Sequence, residues 1–274
     1  IYTLSLHDAL PIYELALLAV SFGTSFQEAR REAIEATETD LANAFPDFAL
    51  KRAITSHQLS SARNDGERSG EFVSEVLAAL AKDGYREVLV QPLHLIPGFE
   101  YAKIEREAAL RADSFERLVV GKPLLADDDD FPAVAEAIRP IAAALQKDQA
   151  LLLMGHGSRH AANQAYERMT RTLERAGLRR VYLATVEGKP VLSDVIPEMK
   201  TDGVRRVVLM PFMLVAGDHA HNDMASDNPD SWKSILTANG FEVRTRLAGL
   251  GELAAIREIY VRHAKTAWGP DAND

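Results

Sequence analysis

Residues 202–211 read DGVRRVVLMP, and this stretch is a second version of DGYREVLVQP at residues 83–92. Both versions run on to a glycine, Gly98 in the first half and Gly217 in the second, and in that register Glu100 aligns with His219. A repeat of this kind indicates an internal duplication. Because the copies differ where equivalent strands end, we expect a site in a cleft shared by the two halves.

A second pair of stretches supports the duplication. Residues 17–24 read LLAVSFGT and residues 151–158 read LLLMGHGS, so that Phe22 aligns with His156. Around these stretches, short apolar runs alternate with longer segments of helical periodicity, which is typical of βα units around a parallel sheet. We therefore predict an α/β fold of two similar domains related by internal duplication. Each is a parallel β-sheet flanked by helices, with the active-site cleft between them.

The predicted domains follow the repeat. We assign residues 13–126 to an N-terminal α/β domain and residues 127–250 to a C-terminal α/β domain. Residues 251–274 form a C-terminal helix with no counterpart in the first half, free to pack back on the N-terminal domain. Strands are predicted near 14–21, 48–55, 87–93, 117–120, 150–154, 181–186, 206–212 and 242–247. The clearest predicted helices are 25–44, 71–82, 133–146, 163–176 and 252–267.

Composition excludes several classes of protein. The 274 residues are 47% hydrophobic and 26% charged, as in an ordinary globular enzyme. The net charge of −9 argues against a nucleic-acid partner, since phosphate affinity comes from clustered Lys and Arg. No apolar run approaches the roughly 18 residues that span a bilayer, so we predict no membrane partner. The absence of cysteine excludes disulfides, thiolate nucleophiles and cysteine-type zinc sites.

Residues 1–12 resemble the translation of a sequencing-library adapter. We expect them to be an artefact and leave them out of the reasoning about fold and site. The native start is then missing. We expect a cytoplasmic protein, with the periplasm left open because a signal peptide would have been lost.

Three polar side chains follow predicted strands of the second half. His156 follows the strand ending at Met154, Glu187 follows the strand ending at Val186, and His219 comes after the strand through Pro211. Ligands of open α/β sheets bind outside the carboxyl ends of the strands. Two imidazoles and a carboxylate bind a divalent first-row metal and leave positions open. The sequence therefore predicts a metal site of His156, Glu187 and His219.

Other candidates are weaker. The repeat places Glu100 across the cleft from His219, and we predict that it acts in the same site. His221, two residues after His219, is a second choice, as is His94, for which a core role is equally expected.

The remaining histidines and acids are not part of the predicted site. His57 falls at roughly the position of Glu187, and we expect His160 and His263 at the surface. The acidic run at residues 127–130 precedes Phe131 and Pro132, which favours a solvated helix start over a metal site.

Both glycine loops lead from a strand into a helix. A helix N-terminus offers free N–H donors and a positive dipole end, which favour carboxylate or phosphate. Neither loop matches GxGxxG, GxxxxGKS or GxxxxGKT, so we predict no nucleotide. The predicted carboxylate-binding residues are Gly23, Thr24 and Ser25 in the first loop, Gly157, Ser158 and Arg159 in the second, and Lys189 nearby.

Five segments together resemble one family. They are SFGTS at 21–25, HLIPGFEY at 94–101, GHGS at 155–158, TVEG at 185–188 and GDHAHNDM at 217–224. In combination they look like the anaerobic sirohydrochlorin cobaltochelatases, class II tetrapyrrole chelatases of cobalamin biosynthesis. The similarity runs from about Leu15 to the C-terminal helix. After the first-half glycine the family often has Glu-Glu-Tyr, whereas this chain has Phe99, Glu100 and Tyr101 after Gly98.

The resemblance implies ATP-independent insertion of cobalt(II) into sirohydrochlorin. Carried over by motif, His156 and His219 are metal-binding and catalytic, Glu187 completes the metal site, and Glu100 assists from the opposing domain. The implied partner is the tetrapyrrole substrate. Homo-oligomerisation stays open, as does a haem, which nothing in the sequence supports.

Two alternatives stay open. One is a sirohydrochlorin ferrochelatase of sirohaem synthesis, because two histidines and a carboxylate discriminate poorly between neighbouring metals. The other is a non-catalytic carrier that uses the same cleft to bind a metal or a tetrapyrrole.

Overall fold

The computed structural model describes residues 15–56, 63–64, 67–68 and 70–269. Residues 1–12 and His57 lie outside this part of the chain. All eight strands predicted from the sequence are present, and those at 117–120 and 206–212 have the predicted bounds. The strands are β1 Leu15–Ser21, β2 Ala49–Ile54, β3 Arg63–Asn64, β4 Glu67–Arg68, β5 Glu87–Pro92, β6 Arg117–Val120, β7 Gln149–Gly155, β8 Val181–Thr185, β9 Arg206–Phe212 and β10 Glu242–Thr245.

The main strands form two parallel four-stranded sheets. The first has the order β2-β1-β5-β6, and the second has the order β8-β7-β9-β10. Val20 pairs with Pro92 in the first sheet, and Met154 pairs with Pro211 in the second. These are equivalent pairs in the two stretches of the sequence repeat. The two sheets are therefore copies in both strand order and register, which confirms the predicted duplicated α/β fold.

Helices cover the sheets, and the central strands β1 and β7 are almost completely buried, as expected for a parallel sheet with both faces covered. The predicted helix 25–44 is interrupted by a π-helical segment, Arg30–Glu35. The α-helices are α1 Gln27–Ala29, α2 Ala36–Ala44, α3 Val73–Lys82, α4 Phe99–Ala109, α5 Asp130–Ala143, α6 Gln164–Arg175, α7 Leu192–Thr201, α8 Trp232–Ala238 and α9 Ala254–Trp268. Shorter turns are 3-10 helices at Ala112–Ser114, Ala161–Asn163 and Leu250–Glu252 and a π-helix at Ala220–Met224.

The last helix, α9, contacts the first half of the chain. Arg257 Nε lies 2.6 Å from Asp40 Oδ2, and the Tyr260 hydroxyl donates to the Leu93 carbonyl at 3.1 Å. The Trp268 ring packs edge-on against Phe48, with centroids 4.9 Å apart. The main hydrophobic core contains buried residues of both halves together with this helix. The last helix thus contributes to a core that the two halves share.

A buried ion-pair network also anchors the last helix. His263 Nε2 lies 2.8 Å and Arg262 Nη2 lies 2.6 Å from Asp130 Oδ1. Asp130 Oδ2 accepts the N–H groups of Asp127 and Ala126. The predictions of a surface His263 and a solvated Asp130 are therefore wrong. A carboxylate with this many partners can be buried, because each of its oxygens replaces its hydration with hydrogen bonds.

Within the described ranges, no helix combines the length and the apolar character needed to cross a membrane.

Candidate functional site

His156 and His219 come together at the carboxyl edge of the second sheet. Their ring centroids are 4.6 Å apart, and the rings are nearly perpendicular at 85°. His156 directly follows β7, and His219 follows β9 at the start of the π-helical turn 220–224. Because β7 and β9 are neighbours in a parallel sheet, their carboxyl ends lie side by side and bring the two loops together.

Hydrogen bonds orient both imidazoles. His156 Nδ1 lies 2.9 Å from the Gly157 carbonyl oxygen, and His219 Nδ1 lies 2.5 Å from Asp223 Oδ2. A carbonyl and an ionised carboxylate only accept, so in each neutral ring the proton is assigned to Nδ1. Nε2 of each ring then keeps its lone pair, which is able to bind a metal or take up a proton.

Asp223 is a candidate functional residue that sequence reasoning missed. It lies four residues after His219 on a helical turn, a spacing at which side chains meet. That spacing, together with the usual pairing of a metal-binding histidine with a carboxylate, is the signal that would have identified it.

The loop after β7 interlocks with the loop after β8. Gly157 has φ +79°, and a Cβ atom there would lie 2.6 Å from the carbonyl carbon and oxygen of Glu187. Only glycine meets both requirements without strain. The Glu187 N–H also donates to the His156 carbonyl at 2.7 Å. The backbone of Glu187 is therefore held beside that of His156.

The Glu187 carboxylate is not assembled with the two histidines. Its side chain is exposed. In the part of the chain that the structure describes, only Asp127, Asp130 and His263 bring three ligand atoms within 4.8 Å of one another. That group is already occupied by the salt bridges of Arg262 to Asp130 and Lys122 to Asp127, so we interpret it as structural. The metal-binding role of Glu187 stays a prediction.

The register identifies the first-half position that corresponds to Glu187. The pairing of β1 with β2 ends at Ile54, and that of β7 with β8 ends at Thr185. Two residues later, Ser56 corresponds to Glu187. The sequence comparison put His57 at roughly this position, and His57 itself lies outside the described residues.

The second glycine loop uses its N–H groups internally. Ser158 N–H donates to Asn163 Oδ1 at 2.9 Å, and Asn163 Nδ2 donates to the Lys189 carbonyl at 2.9 Å. The expectation that Ser158 offers a free N–H donor is therefore wrong, because Asn163 uses that group to tie two loops together. Arg159 is exposed, and the exposed Lys189 pairs with Asp194 at 3.1 Å.

The first glycine loop reaches the second half. Gly23 has φ +91°, and Ser25 beyond it is exposed. Thr24 Oγ1 accepts the Phe26 N–H at 3.2 Å. A Cβ atom at Gly217 would lie 3.3 Å from the same oxygen, so the loops after β1 and β9 meet.

Two aromatic contacts connect the halves beside this point. The Phe26 ring stacks on His221, with centroids 4.0 Å apart and planes within 3°. Phe99 meets His160 edge-on at 4.9 Å. The expectation of a surface His160 is wrong, since its half-buried ring also accepts the Ala162 N–H. His221 packs on the first half, whereas His219 packs on His156.

Besides Gln91, two side chains of the first half have buried atoms without hydrogen-bond partners among the described residues. Glu100 Oε2 is one, on the first turn of α4 beside the contact of Phe99 with His160. His94 Nδ1 is the other, while its Nε2 lies 3.2 Å from Thr55 Oγ1. Burial lowers the pKa of His94 to about 4, so its ring is neutral near pH 7.

Comparison with known proteins adds an independent line of evidence. Residues 15–268 match the family model described as Cobalt chelatase (CbiK). A sirohydrochlorin cobaltochelatase of Salmonella typhimurium is 42% identical over 257 residues, covering 92% of this chain and 96% of that protein. Sirohydrochlorin cobaltochelatase CbiKC of Nitratidesulfovibrio vulgaris is 32% identical over 261 residues, covering 94% and 92%.

A solved structure shares the fold. SirB from Bacillus subtilis with Fe3+ has a TM-score of 0.61 and 17% identity, covering 91% of this chain and 94% of that one. The family match includes both copies of the duplicated fold and the strand ends that carry His156 and His219. The chain therefore belongs to the cobalt chelatase (CbiK) family.

Proposed function

We propose that this protein inserts cobalt(II) into sirohydrochlorin and releases cobalt-sirohydrochlorin. The observation that carries the proposal is the pair of His156 and His219, each with Nδ1 engaged and Nε2 left as a lone-pair donor. The family membership supports the reaction class, and both relatives described above are named as sirohydrochlorin cobaltochelatases.

The reaction needs groups that hold an ion loosely and accept protons. Metal insertion replaces the outer ligands of the ion with ring nitrogens and releases two pyrrole protons. A neutral imidazole can perform either task near neutral pH. In this proposal His156 and His219 bind cobalt(II) through Nε2, and Glu187 supplies an oxygen ligand once its exposed side chain turns toward them.

Asp223 strengthens this role of His219. Its carboxylate fixes the orientation and the tautomer of the ring through the Nδ1 hydrogen bond. The Nδ1 atom of His156 instead donates to a backbone carbonyl, that of Gly157. We therefore assign the more firmly oriented ring to His219.

Glu100 provides a proton acceptor from the other half. Its Oε2 is buried without a hydrogen-bond partner among the described residues, on a helix turn at the contact between halves. A carboxylate oxygen in that situation gains from taking up a proton or a substrate N–H. We assign Glu100 to receive a proton displaced from the macrocycle.

The substrate carboxylates need cationic or N–H donors at the rim of the cleft. Arg159 and Lys189 are exposed beside the histidine loop, and an arginine binds carboxylates well through paired N–H groups. The Ser158 N–H already donates within the protein. We therefore assign the substrate carboxylates to these two cations and to the loop of Gly23, Thr24 and Ser25.

An anaerobic absorbance assay of sirohydrochlorin with cobalt(II), iron(II) or nickel(II) tests the proposal. We expect multiple turnovers with cobalt(II), faster than the uncatalysed reaction. A higher kcat/KM with iron(II) would favour the ferrochelatase alternative, and binding of one equivalent without turnover would favour a carrier. No acceleration with any of the ions would reject a chelatase.

A further inference from the structure

Two exposed phenylalanines stand at the strand ends of the first sheet. Phe22 directly follows β1 and is 51% exposed, while Phe99 begins α4 after β5 and is 62% exposed. Within the described residues, only Leu110 and Leu247 are also classed as large exposed hydrophobic residues. Single apolar residues scattered over a surface are normal. Two large apolar rings at the ligand-binding edge of one sheet instead indicate a binding role.

The duplication shows what these rings replace. In the register of the repeat, Phe22 corresponds to His156 and Phe99 corresponds to Asp218, next to His219. Since β1 and β5 are neighbours, as β7 and β9 are, Phe22 occupies the position of His156, and Phe99 lies next to Glu100, which occupies the position of His219. One side of the cleft thus carries two imidazoles, and the other carries exposed phenyl rings.

Contacts between the halves place the rings at the cleft. Phe99 meets His160, four residues after His156, with ring centroids 4.9 Å apart. Two residues after Phe22, the side chain of Thr24 faces Gly217, which precedes His219 by two residues. The phenyl side is therefore continuous with the imidazole site.

We propose that Phe22 and Phe99 form an apolar platform for one face of the tetrapyrrole, so that the metal enters from the opposite face, where His156 and His219 lie. This inference rests on the proposed function, because it takes sirohydrochlorin as the occupant. The macrocycle has flat apolar faces and a charged rim, and phenyl rings bind such faces by area burial and offset or edge contacts. A platform of this kind binds the face of the macrocycle, while Arg159 and Lys189 bind the carboxylates at its rim.

The platform acts on binding more than on the chemical step. It contacts the macrocycle before and during metal insertion, so its removal raises KM and leaves kcat largely unchanged. Removal of either imidazole, by contrast, lowers kcat. This split distinguishes the platform from the metal site.

The test measures affinity for metal-free sirohydrochlorin by fluorescence titration. The variants are Phe22→Ala, Phe99→Ala, the double variant and the conservative Phe22→Trp. We expect each alanine to raise Kd about tenfold, the double variant to raise it further, and the tryptophan to retain most of the affinity. Leu110→Ala is the matched control, since Leu110 is 78% exposed at the far end of α4. His160→Ala removes the contact with Phe99 while keeping the phenyl ring, and so measures the effect of losing that contact alone.

The outcomes separate this inference from the proposed function. If the unaltered protein binds sirohydrochlorin and loses affinity on phenylalanine removal without ever inserting cobalt, the platform stands and the chelatase proposal fails. If it inserts cobalt while the double variant keeps its Kd within twofold, the platform is wrong and the chelatase stands. Loss of self-association in the double variant with unchanged Kd would assign the rings to a contact between copies and overturn the platform. Absence of sirohydrochlorin binding by the unaltered protein would overturn both.

Discussion

His219 Nδ1 lies 2.5 Å from Asp223 Oδ2, one helical turn later in the chain. Asp223→Asn keeps the shape but replaces the carboxylate that orients the ring. We expect kcat to fall about 10- to 100-fold, as is typical when such a partner of a metal-binding histidine is lost. Asp227→Asn, on an exposed acid paired with Lys233, is the control, and equal losses in the two variants would contradict the assignment.

The two facing histidines are predicted to be indispensable. His156→Ala and His219→Ala each remove one Nε2 donor from the pair, and we expect cobalt insertion to fall by at least about a hundredfold. His160→Ala should leave most of the activity, since that ring caps a short helix and contacts Phe99. Steady-state rates with cobalt(II) and sirohydrochlorin measure this. Similar losses in all three variants would overturn the assignment of roles.

Gly157 is predicted to be irreplaceable for local structure. Gly157→Ala combines a strained φ of +79° with a Cβ atom 2.6 Å from the Glu187 backbone. We expect the free energy of unfolding to fall by about 1–3 kcal/mol and activity to fall with it. Gly177→Ala has a similar φ of +77° with nothing within 4 Å, so it isolates the strain from the clash. Urea unfolding measures both, and equal losses would show that the close approach has no energetic weight.

Local patterns were sufficient to predict the sheets. Strands such as 206–212 are short apolar runs between turn signals, and the repeat gave their equivalence without knowledge of contacts. The same reasoning placed His156 and His219 at neighbouring strand ends, where their rings meet. It could not place Glu187, because a strand end fixes the backbone and leaves the rotamers of an exposed side chain free.

Tertiary partners explain the errors. Asp130 lies in a run of acids that reads as a solvated helix start, yet it is buried against His263, 133 residues later. Ser158 lies in a loop whose sequence predicts a free N–H donor, yet its N–H donates to Asn163. In both cases the local sequence pattern predicted an exposed or free group. A side chain that the pattern does not include bound that group instead.

The buried Asp130 predicts a stability loss and an acid dependence. Burial disfavours its charge, but hydrogen bonds from His263 and from the N–H groups of Asp127 and Ala126 outweigh that and lower the pKa of Asp130. Its contribution is therefore present above the unfolded pKa of about 3.9 and lost as pH falls through the lower folded value. Asp130→Asn should cost about 3 kcal/mol at pH 7, since it leaves the cations of α9 without their partner. Asp129→Asn, on an exposed neighbour, should cost little in the same urea titration.

His94 should make stability depend on pH in a different window. Burial lowers its folded pKa to about 4, whereas an unfolded histidine titrates near 6.5. Between about pH 4 and 6.5 the unfolded chain binds a proton that the folded chain does not, so stability rises with pH there and the contribution is constant above it. The slope from this group is at most about 1.4 kcal/mol per pH unit.

His94→Gln removes this contribution while keeping a polar group near Thr55. We therefore expect the variant to lose stability less steeply than the unaltered protein as pH falls from 6.5 to 4. Urea unfolding at several pH values measures the difference, with His160→Gln as the control. Parallel curves for the His94 variant and the unaltered protein would mean that the folded and unfolded states bind the proton of His94 equally, which would contradict the effect of burial.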